Sequence, residues 1–447
     1  MTNDMTAGKP AKLILQFMIP VCLGNIFQQF YNLADSVIAG RFLGVNALAA
    51  IGSTSSLIFL VIGWLNGITS GFAIMIAQNF GAKRYDRMRH YLAMSIYLCV
   101  AFVVVMTVGL EAANYPILRM MNAPEEIIGD VGGYMAVIYA GLVVTTAYNG
   151  LAAVLRALGD SRSPLYFLII SAVINVFLDI AFILYGGMGV VGCGYATVIA
   201  QAVSALLCLI YIIRKFDILK LQKSDFKISW YSMGQLLGLG IPMGLQFSIT
   251  AIGTIIVQGA VNSLGAVYIA AFSAAGKIQN IVATVFVAFG ATIATFVGQN
   301  RGAGRIDRVH EGVKVTQIMI LVWALFIWAF VMLFGRTLTG IFVDASETEV
   351  FRASGLYFKT VAWCYPFLGS IFLYRNALQG MGYGLVPMLG GVFELLARAA
   401  VVAVLTAPLG YLGACIADPA AWLAALIPIV PYYFYKMNRA GFIYRNS

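Results

Sequence analysis

Gln78-Asn79-Phe80-Gly81-Ala82, followed by Asp86-Arg87, returns in the second half of the chain as Gln299-Asn300-Arg301-Gly302-Ala303, followed by Asp307-Arg308. The two blocks stand 221 residues apart, and each separates two long apolar runs. Other landmarks keep nearly the same offset. Ile19-Pro20 returns as Ile241-Pro242, Leu155, Gly159 and Pro164 as Leu378, Gly382 and Pro387, and Gly192 as Gly413. Near-constant spacing over so many landmarks points to a duplicated unit that fills each half of the chain.

Hydrophobic runs lie at about 13 to 39, 48 to 79, 91 to 114, 131 to 157, 164 to 186, 190 to 213, 233 to 262, 268 to 299, 313 to 335, 350 to 378, 385 to 407 and 410 to 435. A helical crossing needs about 20 apolar residues, so each run is a span. Composition agrees: of 447 residues 61% are hydrophobic and 10% charged, against roughly half and a quarter in soluble domains. Six spans per half give both halves one orientation, related by an axis along the membrane normal. The expected fold is an all-α integral membrane protein of twelve transmembrane helices in two pseudo-symmetric six-helix lobes. The expected boundaries are 1–215 for the first lobe, 216–229 for a cytoplasmic linker and 230–447 for the second. Pro20 and Pro242 mark places where the first and seventh helices are expected to break.

The net charge of +10 does not point to nucleic acid. Lys and Arg gather in alternate loops, Lys83 to Arg89, Arg214 to Lys227 and Arg301 to Lys314 among them, while Glu125, Glu126, Asp130, Asp344, Glu347 and Glu349 lie on the other side. The positive-inside rule then puts both termini in the cytoplasm. The opening Met1 to Lys12 has no cleavage-site pattern, so the first apolar run is expected to remain a span. His90 and His310 follow basic loop residues and read as solvated, with no metal site. The six cysteines read as packing residues. Phosphate loops, nucleophile elbows and metalloprotease motifs are missing from the sequence, which leaves neither an enzyme nor an ATP-driven pump. Energy has to come from an ion gradient, and no cofactor is called for.

Ionisable groups in mid-bilayer cost about 2.5 to 3.5 kcal/mol even on insertion scales, so each is a functional candidate. Gln28, Tyr31, Asn32 and Asp35 share one face of the first span, and Asn175 and Asp179 share one face of the fifth. Thr197 in the sixth adds a hydroxyl. Two carboxylates, an amide and a hydroxyl suit Na+, and a buried carboxyl can equally carry H+. Taken singly, Asn175, Thr197 and Gln28 are as well explained by interhelical hydrogen bonding. Glu394 and Arg398 on the eleventh span are four apart, a spacing that lets them neutralise each other, and that structural role is preferred. Asp418-Pro419 is read as the cap of a broken helix near a membrane face.

These features resemble the MATE family of multidrug and toxic-compound extrusion transporters over nearly the whole chain. The resemblance rests on the duplicated spans, on the repeated Gln-Asn block and on Arg156-Ala157-Leu158-Gly159-Asp160 with Pro164. Within the family the chain is similar to the bacterial DinF-type branch. That resemblance implies that Asp35, Asn175, Asp179 and Thr197 bind the coupling cation, H+ or Na+, with Tyr31 lining the same cavity. The NorM-type branch carries an acid in the seventh span, and here Phe247 to Ala251 has none. The family implies antiport of small hydrophobic, often cationic substrates across a bacterial plasma membrane by alternating access. Membrane lipid is the other expected partner, a monomer is expected to suffice, and Gln28, Tyr31, Asn32, Glu394 and Arg398 are candidates for the substrate cavity. The competing reading is a flippase for a lipid-linked precursor, which calls for a strongly cationic cavity.

Overall fold

A computed structural model describes residues 4–43, 45–121, 125, 127–344 and 346–445. Glu126, expected on the acidic side, lies outside the described residues. Apart from turns, the described chain is helical: α1 Pro10–Leu43, α2 Val45–Gly81, α3 Tyr85–Met120, α4 Ile128–Ala140, α5 Leu142–Ala157, α6 Arg162–Ile180 and α7 Gly189–Lys215 form the first half. The second half holds α8 Trp230–Asn262, α9 Ala266–Gly302, α10 Ile306–Thr339, α11 Thr348–Val361, α12 Tyr365–Gly380, α13 Leu385–Leu409 and α14 Tyr411–Arg445. Among the described residues eleven helices or helix pairs are long and apolar enough to cross a membrane, and α4 with α5, bent by 45°, completes twelve. In a bilayer the helix is the way a single segment satisfies its own backbone, which is why apolar runs translate so directly into helices.

The duplication is written into the backbone. Arg84 and Arg305, which open α3 and α10, share φ −92° and ψ 69°. Before them Lys83 and Gly304 take positive φ, 55° and 72°, and Gly159 and Gly382 both stand at 84°. Lys83 is the one non-glycine residue at positive φ among those described, held there by the same turn that its counterpart makes with glycine. The bend between α4 and α5 has its counterpart in the 3-10 turn Ala362–Cys364 between α11 and α12. At the first of these, a Cβ on Gly141 would stand 2.3 Å from Val198 Cγ2, so glycine lets the joint close on α7.

Neither Pro20 nor Pro242 breaks its helix; α1 and α8 run through both. One lost hydrogen bond is tolerable in a membrane helix when neighbouring groups compensate. The prolines do mark another boundary. Residue contacts divide the chain into one compact unit of Met1–Asp4 with Leu23–Gly244, and a second of Met5–Cys22 with Leu245–Ser447. The cuts fall just after Pro20 and just after Pro242, rather than along the expected linker at 216–229. Ile14, Phe17 and Met18 of α1 lie in the core of the second unit beside Ile293 and Phe296. Met233 and Leu236 of α8 lie in the first with Ile68 and Phe72. Each lobe's leading half-helix thus belongs to the other unit's core.

The stretch expected as a linker is fastened to the first unit. Arg89 Nε donates to Asp225 Oδ2 at 3.2 Å, and Tyr97 Oη donates to the Phe226 carbonyl at 3.4 Å. His90 is not solvated as expected: Nδ1 meets the Asp225 carbonyl and Nε2 the Ser232 hydroxyl, both at 3.1 Å. His310 is exposed.

Candidate cation site

In the first unit α1 carries Tyr31 and Asp35, one turn apart, α6 carries Asn175 and Asp179, again one turn apart, and α7 carries Thr197. The structure brings four of these together. Thr197 Oγ1 donates to Asp35 Oδ2 at 3.5 Å. The carboxyls of Asp35 and Asp179 are side-chain neighbours, and the Tyr31 hydroxyl lies within electrostatic reach of both. Asn175 and Asp179 are completely enclosed, and Tyr31 is buried. Immediately beyond Asp179 and Ile180 the α6 helix widens into a π turn, Ala181–Tyr185. Such turns re-aim side chains and often accompany functional sites.

The electrostatics of this cluster are lopsided. Neither carboxyl forms an ion pair with a basic residue among the described residues. Tyr31 Oη, Asp35 Oδ1, both amide atoms of Asn175 and both oxygens of Asp179 are buried with no hydrogen-bond partner among the described residues. Two carboxylates in contact repel when both are ionised. A proton shared between them, or a hard monovalent cation on their oxygens, removes that repulsion, and the oxygen-rich donor set fits either. Among the described residues no three His, Cys, Asp or Glu side chains gather to hold a metal ion.

The four residues of the α1 stripe differ in their surroundings. Tyr31 and Asp35 turn towards α6 and α7, while Gln28 donates to Asn32 Oδ1 at 3.4 Å, with Asn32 exposed. Two groups went unseen in the sequence: Tyr134 of α4 and Cys193 of α7 stand within electrostatic reach of both carboxyls. Both sit in apolar runs where nothing in the local pattern sets them apart.

Glu394 and Arg398 belong to the second unit and to a larger buried network. Arg375 of α12 donates from Nη2 to Glu394 Oε2 at 2.7 Å, and Arg398 Nη2 lies 3.7 Å from Glu394 Oε1. Arg398 Nε donates to Asp418 Oδ1 at 2.8 Å. Asp418 therefore caps no broken helix. It lies within α14 and completes a charge balance of two cations and two anions. A Cβ on Gly253 would stand 2.9 Å from Arg398 Nη1, so α8 leaves room for that guanidinium. Arg375 was missed because it reads as a basic residue near the end of a span; its charge inside a run of span length was the available signal.

A family model described as MatE matches the chain twice, over residues 20–181 and 242–405, starting points as far apart as Pro20 and Pro242. The chain belongs to the MatE family. Members are membrane transporters, not enzymes, and this MatE chain is similar to two proteins of Bacillus subtilis (strain 168). It is 29% identical to the probable multidrug resistance protein YpnP over 85% of this chain and 84% of that protein. It is 28% identical to the probable multidrug resistance protein YoeA over 93% and 92%. In fold it is similar to the crystal structure of MATE in the bent conformation, with a TM-score of 0.91, 22% identity and coverage of 98% and 97%.

Proposed function

We propose that this MatE protein exports small hydrophobic, often cationic compounds from a bacterial cell in exchange for H+ or Na+, with Asp35, Asn175, Asp179 and Thr197 as the cation site. The observation that carries the reading is the pairing of the half-buried Asp35 carboxyl with the buried Asp179 carboxyl, with no basic residue paired to either among the described residues. The multidrug resistance relatives support the cargo class. Cation binding neutralises the pair and draws α1, α6 and α7 together. The resulting difference in affinity between conformations couples ion entry to substrate release, since a ligand shifts an equilibrium only by its differential binding. The chain lies in the plasma membrane with both termini in the cytoplasm and transports as a monomer.

The flippase reading loses ground in the second unit. Arg375 and Arg398 are both engaged by Glu394 and Asp418, so neither is free to hold a pyrophosphate.

The test is ethidium efflux from proteoliposomes under an imposed pH gradient and, separately, an imposed Na+ gradient. The expected outcome is efflux driven by one gradient and abolished in Asp35→Asn and Asp179→Asn, with both variants folded and inserted. Normal gradient-driven efflux in those variants would remove Asp35 and Asp179 from coupling. No efflux from folded wild type under either gradient would return the flippase to first place.

A further inference from the structure

The second unit holds a cavity of about 970 Å3 that the transport reading does not use. It lies where the last turn of α10, the length of α11, the start of α9 and the turn between α13 and α14 come together. Arg336, Arg352 and Lys359 line it, against a single acid, Glu349. Arg352 and Lys359 are two turns apart on one face of α11. All three cations are exposed, and none forms an ion pair among the described residues. The nearby Asp344 is turned onto Ser346, accepting from its backbone N–H at 3.0 Å and its hydroxyl at 2.9 Å.

The other wall is apolar. Tyr268 and Tyr411 stack with ring centroids 4.8 Å apart, and the Arg336 guanidinium lies over the Phe351 ring at 5.7 Å. Leu356 and Leu409, both in the lining, are 37% and 45% exposed. The pocket therefore offers a cationic rim and a greasy wall together, the two halves of an amphiphile with an anionic head. The turn between α10 and α11 at this end carries Asp344 and Glu347, and the positive-inside rule assigns such an acidic turn to the side poor in Lys and Arg. Three cations in one pocket there call for a ligand.

We propose that this pocket binds the phosphodiester headgroup of an anionic phospholipid of the adjacent leaflet, with Arg336, Arg352 and Lys359 on the phosphate and an acyl chain along Leu356 and Leu409. Arginine supplies paired donors matched to phosphate oxygens, and lysine adds a point charge. The lipid is favoured over a soluble phosphate compound because the exposed Leu356 and Leu409 in the lining give an acyl chain an apolar surface to cover, which a soluble phosphate would leave bare.

The test is thermal melting of the purified full-length protein in neutral detergent, titrated with phosphatidylglycerol, with phosphatidylcholine or with inorganic phosphate. Phosphatidylglycerol is expected to raise Tm in a saturable way, and the other two to leave it unchanged. In Arg336→Gln/Arg352→Gln/Lys359→Gln the apparent affinity for phosphatidylglycerol falls by about tenfold or more, or ~1.4 kcal/mol. A control that removes three cations elsewhere, Lys215→Gln/Lys220→Gln/Lys223→Gln, responds as wild type. If the triple pocket variant does not fold, Arg352→Gln and Lys359→Gln are read singly in the same way. An unchanged response in the pocket variants, an equal loss in the control, or an equal shift with phosphatidylcholine or phosphate would each overturn the proposal.

Discussion

At the scale of single residues the two units treat buried charge in opposite ways. In the first, Asp35 and Asp179 meet with no basic residue paired to either among the described residues, which leaves a demand that a proton or cation can meet. In the second, Glu394 is held between Arg375 and Arg398, and Arg398 also holds Asp418. A buried network of this kind contributes little net stability while intact, but removing one member strands the others. Glu394→Gln is therefore expected to destabilise the folded protein by about 3 to 5 kcal/mol, read as a loss of melting temperature in detergent. The double variant Glu394→Gln/Arg375→Met is expected to recover part of that loss. Asp35 and Asp179 were legible in the sequence because helical spacing groups them with other polar residues and no basic residue lies within a turn of either. Arg375 was not legible as a partner, because 19 residues separate it from Glu394 and the contact exists only once α12 and α13 pack.

Among the elements, α2 and α8 show how closely membrane helices approach when small residues face each other. A Cβ on Gly67 would stand 2.6 Å from Gly244 Cα, and one on Gly71 would stand 2.7 Å from Gly240 Cα. Both helices thus present glycines four residues apart, the spacing that brings backbones into contact where lipid supplies no hydrophobic drive for association. Gly71→Val is expected to force α2 and α8 apart at a cost of about 1 to 3 kcal/mol or more, whereas Gly109→Ala, which meets no atom within 4 Å, is expected to be neutral or slightly stabilising. Thermal melting of the two variants side by side checks this; equal losses would show that the glycine contact does not hold the helices together. The individual glycines are visible in the sequence, but the pairing of one set with the other across some 170 intervening residues is not.

For the whole molecule, the second copy of the Gln-Asn block turns out to be a clasp. Asn300 Nδ2 donates to the Met5 carbonyl at 3.0 Å, and Met5 N–H donates to Gln299 Oε1 at 2.9 Å. Arg305 Nη1 donates to the Thr6 carbonyl at 2.6 Å, and Arg308 Nη1 to that of Gly8 at 2.9 Å. The segment ahead of α1 is tied in this way to the α9–α10 turn, as the segment ahead of α8 is tied to α3 through Arg89 and His90. Deleting residues 2–8 leaves Gln299 and Asn300, both fully buried, without these partners. Asn300 keeps the Phe296 carbonyl and Arg308 Nε, so the expected cost is about 0.5 to 1.5 kcal/mol for each hydrogen bond lost, measured as a lower Tm of the truncated protein. An unchanged Tm would show that water replaces the clasp without loss.

Sequence alone determined the class of fold, the number of the spans, the duplication and the presence of two acids in the spans of the first unit. These follow from local rules: lipid requires apolar helices of a set length, and a helix places residues three and four apart on one face. Tertiary structure alone decided that Pro20 and Pro242 leave their helices intact and stand beside the boundary between compact units. It also decided that each leading half-helix joins the other unit's core, that Arg375 and Asp418 complete a neutral network around Glu394 and Arg398, and that Tyr134 stands within electrostatic reach of the carboxyl pair. All of these are contacts between residues far apart in the chain. Hydropathy and periodicity describe the surroundings of one helix at a time, and which helix faces it is settled only by packing.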